Sequence, residues 1–121
     1  MASRRHEIRG EMKRILTNLD PRWLKAASQQ LCDHLGDLLD RRVERKLEHL
    51  LAWVNFFPGE VDLSCLIGEQ LGVRSVYLPR VFKDGTMKFL SIGSDWMESM
   101  GAGEFGIPEP SDAGESFDHS N

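Results

Sequence analysis

The sequence lacks the features that mark several large classes of protein. No apolar run approaches the length of a membrane span, and the N-terminus has no apolar region of the kind a signal peptide requires. Only two cysteines occur among 121 residues, too few for a disulfide framework and without the spacing of a metal site. We therefore expect Cys32 and Cys65 to be buried free thiols, the location to be cytoplasmic, and no membrane to be a partner.

Motifs for nucleotide binding and for catalysis are also missing. The chain contains neither a GxxxxGK[ST] loop nor a GxGxxG motif behind a strand, and its four histidines lack metal-ligand spacing. No Ser/His/acid or Cys/His set is recognisable. The residues alone therefore leave the catalytic groups unknown and predict no metal ligand.

Charge is distributed unevenly along the chain. The net charge is −4, yet residues 1–25 hold seven Lys/Arg against three acidic residues, so the remainder is acidic. An acidic body argues against nucleic acid as a partner, whereas a basic N-terminus can meet a compact anion such as a phosphate chain. Arg5, Arg9 and Lys13 follow at i, i+4 and i+8, which is either a solvated helix face or a phosphate clamp.

Apolar periodicity predicts two helices at the start of the chain, at about 5–19 and 21–39. Their apolar stripes consist of Ile8, Met12, Ile15, Leu16 and Leu19, and of Leu24, Ala27, Leu31, Leu35 and Leu38. Asp20 is the expected N-cap of the second helix, with Pro21 at its first position. The charged residues 40–49 indicate a solvated helical extension or a linker.

After residue 49 the pattern changes to short apolar runs. Strands are predicted near 50–56, 74–79 and 87–92, and a short helix over 63–71 that Gly72 ends. The run at 50–56 is typical of a central strand covered on both faces, and a strand, a helix and a strand imply a parallel crossover.

The predicted fold class is therefore α/β, with three layers and a mainly parallel sheet between flanking helices. We expect one domain over residues 1–110 and an acidic, disordered tail over 111–121, because the tail is small and polar. A parallel sheet of so few strands is usually incomplete, which predicts half of a larger fold with an open sheet edge.

The turn behind the first predicted strand holds Pro58, Gly59, Glu60 and Asp62. Proline and glycine set the turn and Asp62 can cap the following helix, which leaves Glu60 without an evident structural duty. Since open α/β sheets bind ligands at the carboxyl ends of strands, Glu60 is either a ligand-binding residue or a solvated loop acid. Trp96 lies among glycines in an irregular segment, where we expect an exposed aromatic ring.

Five motifs follow one another along residues 5–110. They are Arg5-His6-Glu7-Ile8-Arg9, Pro58-Gly59-Glu60-Val61-Asp62, Leu78-Pro79, Met87-Lys88-Phe89 and Phe105-Gly106-Ile107-Pro108-Glu109-Pro110. In this order and at these spacings they resemble the N-terminal portion of the 5-formyltetrahydrofolate cyclo-ligase family, also called 5,10-methenyltetrahydrofolate synthetase.

The resemblance implies an enzyme of folate one-carbon metabolism that uses ATP and Mg²⁺ to cyclise 5-formyltetrahydrofolate to 5,10-methenyltetrahydrofolate. Matched by position, residues 5–9 (Arg5, His6, Glu7, Ile8 and Arg9) are expected to contact ATP. Asn55 and Glu60 are expected to contact the reduced folate. The sequence departs from the family at Arg5, where the family usually has lysine, a change that keeps the charge and alters the geometry.

The family's second half, with its glycine-rich nucleotide loop and magnesium-binding aspartate, is absent from these 121 residues. The resemblance therefore implies a complementing C-terminal half, or self-association, as the macromolecular partner. The alternative is a truncated, catalytically inactive module that binds folate or nucleotide or serves in interactions.

Overall fold

Two helices begin the chain. In the computed structural model, which describes residues 2–41, 47–103 and 106–118, α1 spans Ala2–Thr17 and α2 spans Pro21–Arg41. The Asp20 carboxylate accepts the Arg22 N–H at 2.9 Å, which confirms the predicted N-cap. Most of the extension expected over residues 40–49 falls on residues 42–46, which lie outside the described residues, as do Phe105 and the last three residues of the tail.

The remaining elements form a small sheet, two short helices and a separate strand pair. In chain order they are β1 (His49–Leu51), α3 (Ser64–Leu71), β2 (Ser75–Val81), β3 (Met87–Ser91), α4 (Trp96–Ser99), β4 (Gly101–Ala102) and β5 (Pro108–Glu109). The sheet has the order β1-β2-β3, with β1 parallel and β3 antiparallel to β2, while β4 and β5 pair with each other. α3 ends before Gly72, as predicted.

The α/β class is confirmed, but the mainly parallel sheet is not. The turn between β2 and β3 is closed by hydrogen bonds from Phe82 N–H to the Thr86 carbonyl (2.8 Å) and from Gly85 N–H to the Phe82 carbonyl (2.9 Å). A connection this short joins strands as a hairpin, so β3 must run antiparallel to β2. The described sheet therefore holds one parallel and one antiparallel pair.

The core lies between β2 and the two helices α2 and α3. On β2, Val76 and Leu78 point toward the helices and are 0% and 1% exposed. The other buried members of this cluster are Cys32, Ala52, Leu63, Leu66, Ile67 and Trp96. The expectation of an exposed ring at Trp96 is wrong, because the ring is only 5% exposed and packs into this core at the start of α4.

α1 buries little of its predicted apolar stripe. Ile8, Met12 and Ile15 are 54%, 48% and 43% exposed, whereas Leu16 and Leu19 are half-buried. The helix has the predicted periodicity, so the sequence correctly indicates which face is apolar. It does not indicate that this face stays uncovered in the described part of the chain.

The strand predicted over 50–56 is shorter than expected and lies at an edge. β1 ends at Leu51, and after the Ala52 N–H donates to the Tyr77 carbonyl at 3.0 Å the chain leaves β2. Its apolar residues do not build a doubly covered central strand. Trp53 and Phe56, beyond the end of β1, are instead 53% and 46% exposed.

The described part of the tail contacts the sheet. The Ser91 N–H donates to the Glu115 carbonyl and the Phe117 N–H to the Phe89 carbonyl, both at 2.8 Å, so this segment lies along β3. The Phe117 ring also meets the Tyr77 ring edge-on at 5.3 Å between centroids. The domain boundary at residue 110 stays a prediction, although residues 115–117 are held by these contacts.

Candidate functional site

The candidate site lies where β1 and β2 part. β1 ends at Leu51 while β2 continues to Val81, so the last part of β2 has no strand on its β1 side. Alternate residues of a strand direct their N–H groups to the same edge, which places Pro79 and Val81 at this unpaired edge. Pro79 has no N–H to satisfy, and the Val81 N–H donates to the Glu109 carboxylate at 2.6 Å. The crevice therefore forms at the carboxyl ends of a parallel strand pair, a usual ligand position.

Aromatic side chains line this crevice. We call the cavity the aromatic pocket; its volume is about 250 Å³. Its lining includes Trp53, Phe56, Phe57, Met87, Ile107 and Glu109. The Phe56 and Phe57 rings meet edge-on at 5.1 Å and remain 46% and 58% exposed. Exposed aromatic surface of this kind, grouped around a cavity, is typical of a contact with a ligand or another protein.

Glu60 projects from the turn between β1 and α3. The turn requires glycine before it, because Gly59 has a φ of 81°. The Glu60 carboxylate accepts one long hydrogen bond, from the Phe56 N–H at 3.4 Å, and among the described residues it has no ion pair with a lysine or arginine. Since an ionised carboxylate has about four acceptor positions, most of its hydrogen-bonding capacity is available to a ligand.

A second cavity, which we call the α2 pocket, lies on the other side of Glu60. Its volume is about 340 Å³, and its lining includes Lys25, Ser28, Cys32, Asn55, Glu60 and Cys65. Glu60 thus lines both cavities, and Asn55 joins it on the wall of the α2 pocket. The structure brings the two residues expected to contact folate together, while their role stays a prediction.

The residues expected to contact ATP do not reach either pocket. Arg5, His6, Glu7, Ile8 and Arg9 are exposed along α1, and none of them lines the aromatic pocket or the α2 pocket. Within the described residues the only ion pair on this helix joins Arg14 to Glu11, at 2.6 Å. Arg5 and Arg9 therefore keep their donors free of carboxylates in the described part of the chain.

The two thiols differ, which corrects the expectation that both are buried. Cys32 is buried and its thiol donates to the Asp62 carbonyl at 3.4 Å, whereas Cys65 is exposed at the α2 pocket. Burial raises the pKa of the Cys32 thiol. The Asp62 carboxylate accepts the Ser64 N–H at 2.9 Å, but the N-cap of α3 is Leu63, which has no side-chain cap, so the prediction that Asp62 caps α3 is not confirmed.

Sequence reasoning missed Glu109. Its side chain is 6% exposed, and it closes the aromatic pocket from β5 while its carboxylate binds the Val81 N–H. Next to it, the Arg80 guanidinium donates to the Pro110 carbonyl at 2.6 Å. The available signal was an acid between two prolines in the Ile107–Pro110 motif, to which no role was assigned.

The described residues contain neither a metal-binding cluster nor a membrane-spanning helix. Over residues 2–41, 47–103 and 106–118, no cluster of three or more His, Cys, Asp or Glu side chains is arranged to hold a metal ion. Over the same ranges no helix is both long enough and apolar enough to cross a membrane.

Comparison with known proteins relates the chain to a solved structure. No family model matches the sequence, and no curated protein matches it. Among solved structures, the chain is similar to the NMR structure of Aquifex aeolicus 5,10-methenyltetrahydrofolate synthetase, with 27% sequence identity and a TM-score of 0.71. The match covers 93% of this chain and 54% of that chain, so the chain spans about half the length of the solved structure. The similarity confirms the resemblance that the ordered motifs indicated, together with a mixed α/β fold.

Proposed function

We propose that this chain forms the folate-binding part of an enzyme that cyclises 5-formyltetrahydrofolate to 5,10-methenyltetrahydrofolate. The observation that carries the proposal is the structural similarity to a 5,10-methenyltetrahydrofolate synthetase over 93% of the chain. The chain spans about half of that protein, so the proposal for the complete reaction includes a second half.

The chemistry of the crevice supports a reduced folate as ligand. A pterin ring is flat and carries several hydrogen-bond donors along one edge. The Glu60 carboxylate, which lines both pockets, can accept from such an edge, and the Asn55 amide on the α2-pocket side can both donate and accept. Phe56 and Phe57 offer apolar ring surface beside these polar groups.

We further propose that α1 contacts the phosphates of ATP in the complete enzyme. Arg5 and Arg9 lie one helical turn apart, so their guanidinium groups can face one polyphosphate together. The described residues do not fit a magnesium site, and the sequence holds no glycine-rich phosphate loop. No step through the metal is therefore assigned to this chain, and a complementing C-terminal half would have to supply that part of the site.

Folate binding by the chain alone tests the proposal. Titration with 5-formyltetrahydrofolate should quench tryptophan fluorescence to saturation, because Trp53 lines the aromatic pocket. A Trp53→Phe variant should still bind by calorimetry while losing most of the quench, whereas Trp23→Phe, which changes an exposed ring of α2, should keep it. Calorimetry that detects no binding to the wild-type chain would contradict the proposal.

The second candidate is an inactive binding or interaction module. The exposed stripe of Ile8, Met12 and Ile15 on α1 favours it, since an uncovered apolar face is typical of a contact surface. The two candidates differ in turnover. A module of this kind would bind reduced folate or a partner and would give no methenyl product even after a complementing half was added.

A further inference from the structure

Glu109 is held in the structure by a reciprocal pair of contacts between β5 and the end of β2. Its side chain accepts the Val81 N–H at 2.6 Å, while the side chain of Arg80 donates to the carbonyl of Pro110 at 2.6 Å. Two successive residues of β2, Arg80 and Val81, are thus joined to Pro110, the position after β5, and to Glu109, its last residue. Each contact links a side chain to a backbone group, one in each direction.

Glu109 supplies a hydrogen-bond acceptor to the Val81 N–H, which an apolar residue at this position could not do. Beyond the end of β1, the Val81 N–H has no strand to receive it, and a buried donor left without an acceptor destabilises the fold. The Glu109 carboxylate replaces the missing strand at this edge. Burial of a carboxylate is itself unfavourable, and Glu109 is 6% exposed, so the hydrogen bond is needed to offset it.

The residue after β4, Gly103, lies very close to the Glu109 side chain. A Cβ added at Gly103, just after β4, would overlap the Glu109 side chain, so only glycine allows this approach. The Gly103 N–H donates to the Ile107 carbonyl at 2.9 Å. Glu109 therefore ties β5 to β2 and packs against Gly103 at the end of β4.

This hairpin supplies one wall of the aromatic pocket. Pro108 and Glu109 of β5 and the preceding Ile107 line one side of the cavity. Trp53, Phe56 and Phe57 line it from the segment after β1. The second wall is anchored through the turn at Glu60. The width of the pocket therefore depends on where the Val81–Glu109 contact holds the first wall.

We propose that Glu109 is a positioning residue, which holds the Ile107–Pro108 wall at the spacing that a flat reduced folate requires. The inference rests on the proposed function for the identity of the ligand. It goes beyond that function by assigning a role to a residue that does not need to touch the folate. In this proposal the folate contacts Ile107 and Pro108, and the Glu109 carboxylate holds these two residues in position.

The test compares Glu109→Ala, Glu109→Gln and the control Glu98→Gln, an exposed acid of α4, in the 121-residue chain. NMR hydrogen exchange follows the Val81 amide and the Val76 amide of the core, and methyl spectra follow Ile107. The dissociation constant for 5-formyltetrahydrofolate and the melting temperature are measured on the same samples.

We expect Glu109→Ala to speed exchange at Val81 at least tenfold, to shift the Ile107 methyl signals and to weaken folate binding about tenfold or more, because an anchoring charge-assisted hydrogen bond is lost. Exchange at Val76 should change less than twofold. Glu109→Gln keeps an acceptor oxygen, so it should retain folate affinity within about threefold, and Glu98→Gln should match the wild type.

Three results would overturn the inference. They are an unchanged Val81 amide in Glu109→Ala, an unchanged folate affinity despite a shifted Ile107, and a loss of affinity that merely parallels faster exchange throughout the core. Absence of folate binding by the wild-type chain would instead defeat the proposed function. The Val81 and Ile107 signals would then still decide whether Glu109 holds the wall.

Discussion

The side chain of Leu16 lies against Gly59, so closely that a Cβ added to the glycine would come within 2.7 Å of the Leu16 side chain. Leu16 belongs to the last turns of α1, and Gly59 precedes Glu60 in the turn between β1 and α3. This contact connects the helix proposed to bind ATP with the turn proposed to bind folate. A substitution at Gly59 should therefore disturb both the backbone of the turn and the packing of α1 against it.

Gly59→Ala should destabilise the chain more than Gly85→Ala. Both glycines have positive φ values, 81° and 86°, so each substitution costs about 1–2 kcal/mol of backbone strain. Only Gly59 faces a neighbour, and overpacking against Leu16 adds roughly 1–3 kcal/mol, whereas nothing lies within 4 Å of a Cβ at Gly85. Urea unfolding of the two variants measures the difference.

Gly85→Ala is thus the matched control for strain without contact. Leu16→Gly provides a second check, since it removes the whole side chain, of which Cβ and Cδ2 each lie 2.7 Å from a Cβ added at Gly59. In the Leu16→Gly background, Gly59→Ala should cost about as much as Gly85→Ala does. Equal losses for the two glycines in the wild-type background would contradict a contact between α1 and the turn.

Glu60→Gln should weaken binding of 5-formyltetrahydrofolate and leave stability nearly unchanged. Among the described residues the carboxylate makes only the long contact with Phe56, so the fold loses little, while a charge-assisted hydrogen bond to the ligand is worth about 1.5–3 kcal/mol. That range corresponds to roughly a ten- to hundredfold rise in the dissociation constant. Calorimetry and thermal unfolding of the same sample measure both quantities, with Glu98→Gln as the control.

A solvated loop acid would show neither effect in Glu60→Gln. A lower melting temperature with unchanged folate affinity would indicate a structural duty instead. Either result would remove Glu60 from the proposed site.

Structural features that depend on a few neighbouring residues are predicted well by the sequence. Asp20 and Pro21 mark the start of α2, and Gly72 marks the end of α3, because capping and helix termination depend on a few neighbouring residues. The Asp84-Gly85 pair between two predicted strands is a hairpin signal, so the antiparallel direction of β3 can also be inferred from the sequence.

Partners distant in sequence were the ones that the sequence did not predict. The apolar run beyond Leu51 has the composition of a buried strand, yet Trp53 and Phe56 line a crevice because β1 ends where the chain leaves β2. Trp96 is buried by residues of α3 and β2 that no local pattern links to it. The same limit applies at the site, where the family resemblance indicates Asn55 and Glu60, whereas Glu109 acts through Val81, 28 positions away.

Cys65 should react with a thiol reagent in the native chain, and Cys32 should not. Cys65 is exposed, whereas Cys32 is buried and burial raises the pKa of its thiol, which lowers the fraction of reactive thiolate at neutral pH. Titration with a chromogenic disulfide should give one fast thiol per chain and a second only in denaturant. The Cys65→Ser variant should lose the fast phase, and two fast thiols in the wild type would contradict the packing of Cys32.

Arg9→Ala should weaken ATP binding in a complete enzyme, made by joining this chain to the second half of the Aquifex protein. Loss of one charge-assisted phosphate contact costs about 1.5–3 kcal/mol, a change of roughly ten- to hundredfold in affinity. Arg14→Ala is the control on the same helix, since Arg14 is paired with Glu11 and an exposed pair contributes about 0–1 kcal/mol. Equal ATP affinities for the two variants would count against a role for Arg9.

The 121-residue chain alone should neither hydrolyse ATP in the presence of 5-formyltetrahydrofolate nor form the methenyl product. Phosphoryl transfer is catalysed mainly by positioning and by charge stabilisation from a metal and backbone donors. The described residues contain no arranged metal-ligand cluster, and the sequence has no glycine-rich phosphate loop. Near-ultraviolet absorbance of the methenyl product and release of phosphate measure the two activities.

Addition of a separately expressed C-terminal half should restore product formation, and the matched control is the same half mixed with Glu60→Gln. In the described sheet β1 has a neighbour on one side only, so its free edge can receive a strand of the added half. Activity should therefore rise with the concentration of the C-terminal half and should reach a plateau when all of the 121-residue chain is bound to it. Methenyl product from the isolated chain would overturn this expectation, because residues 1–121 would then hold a complete nucleotide site.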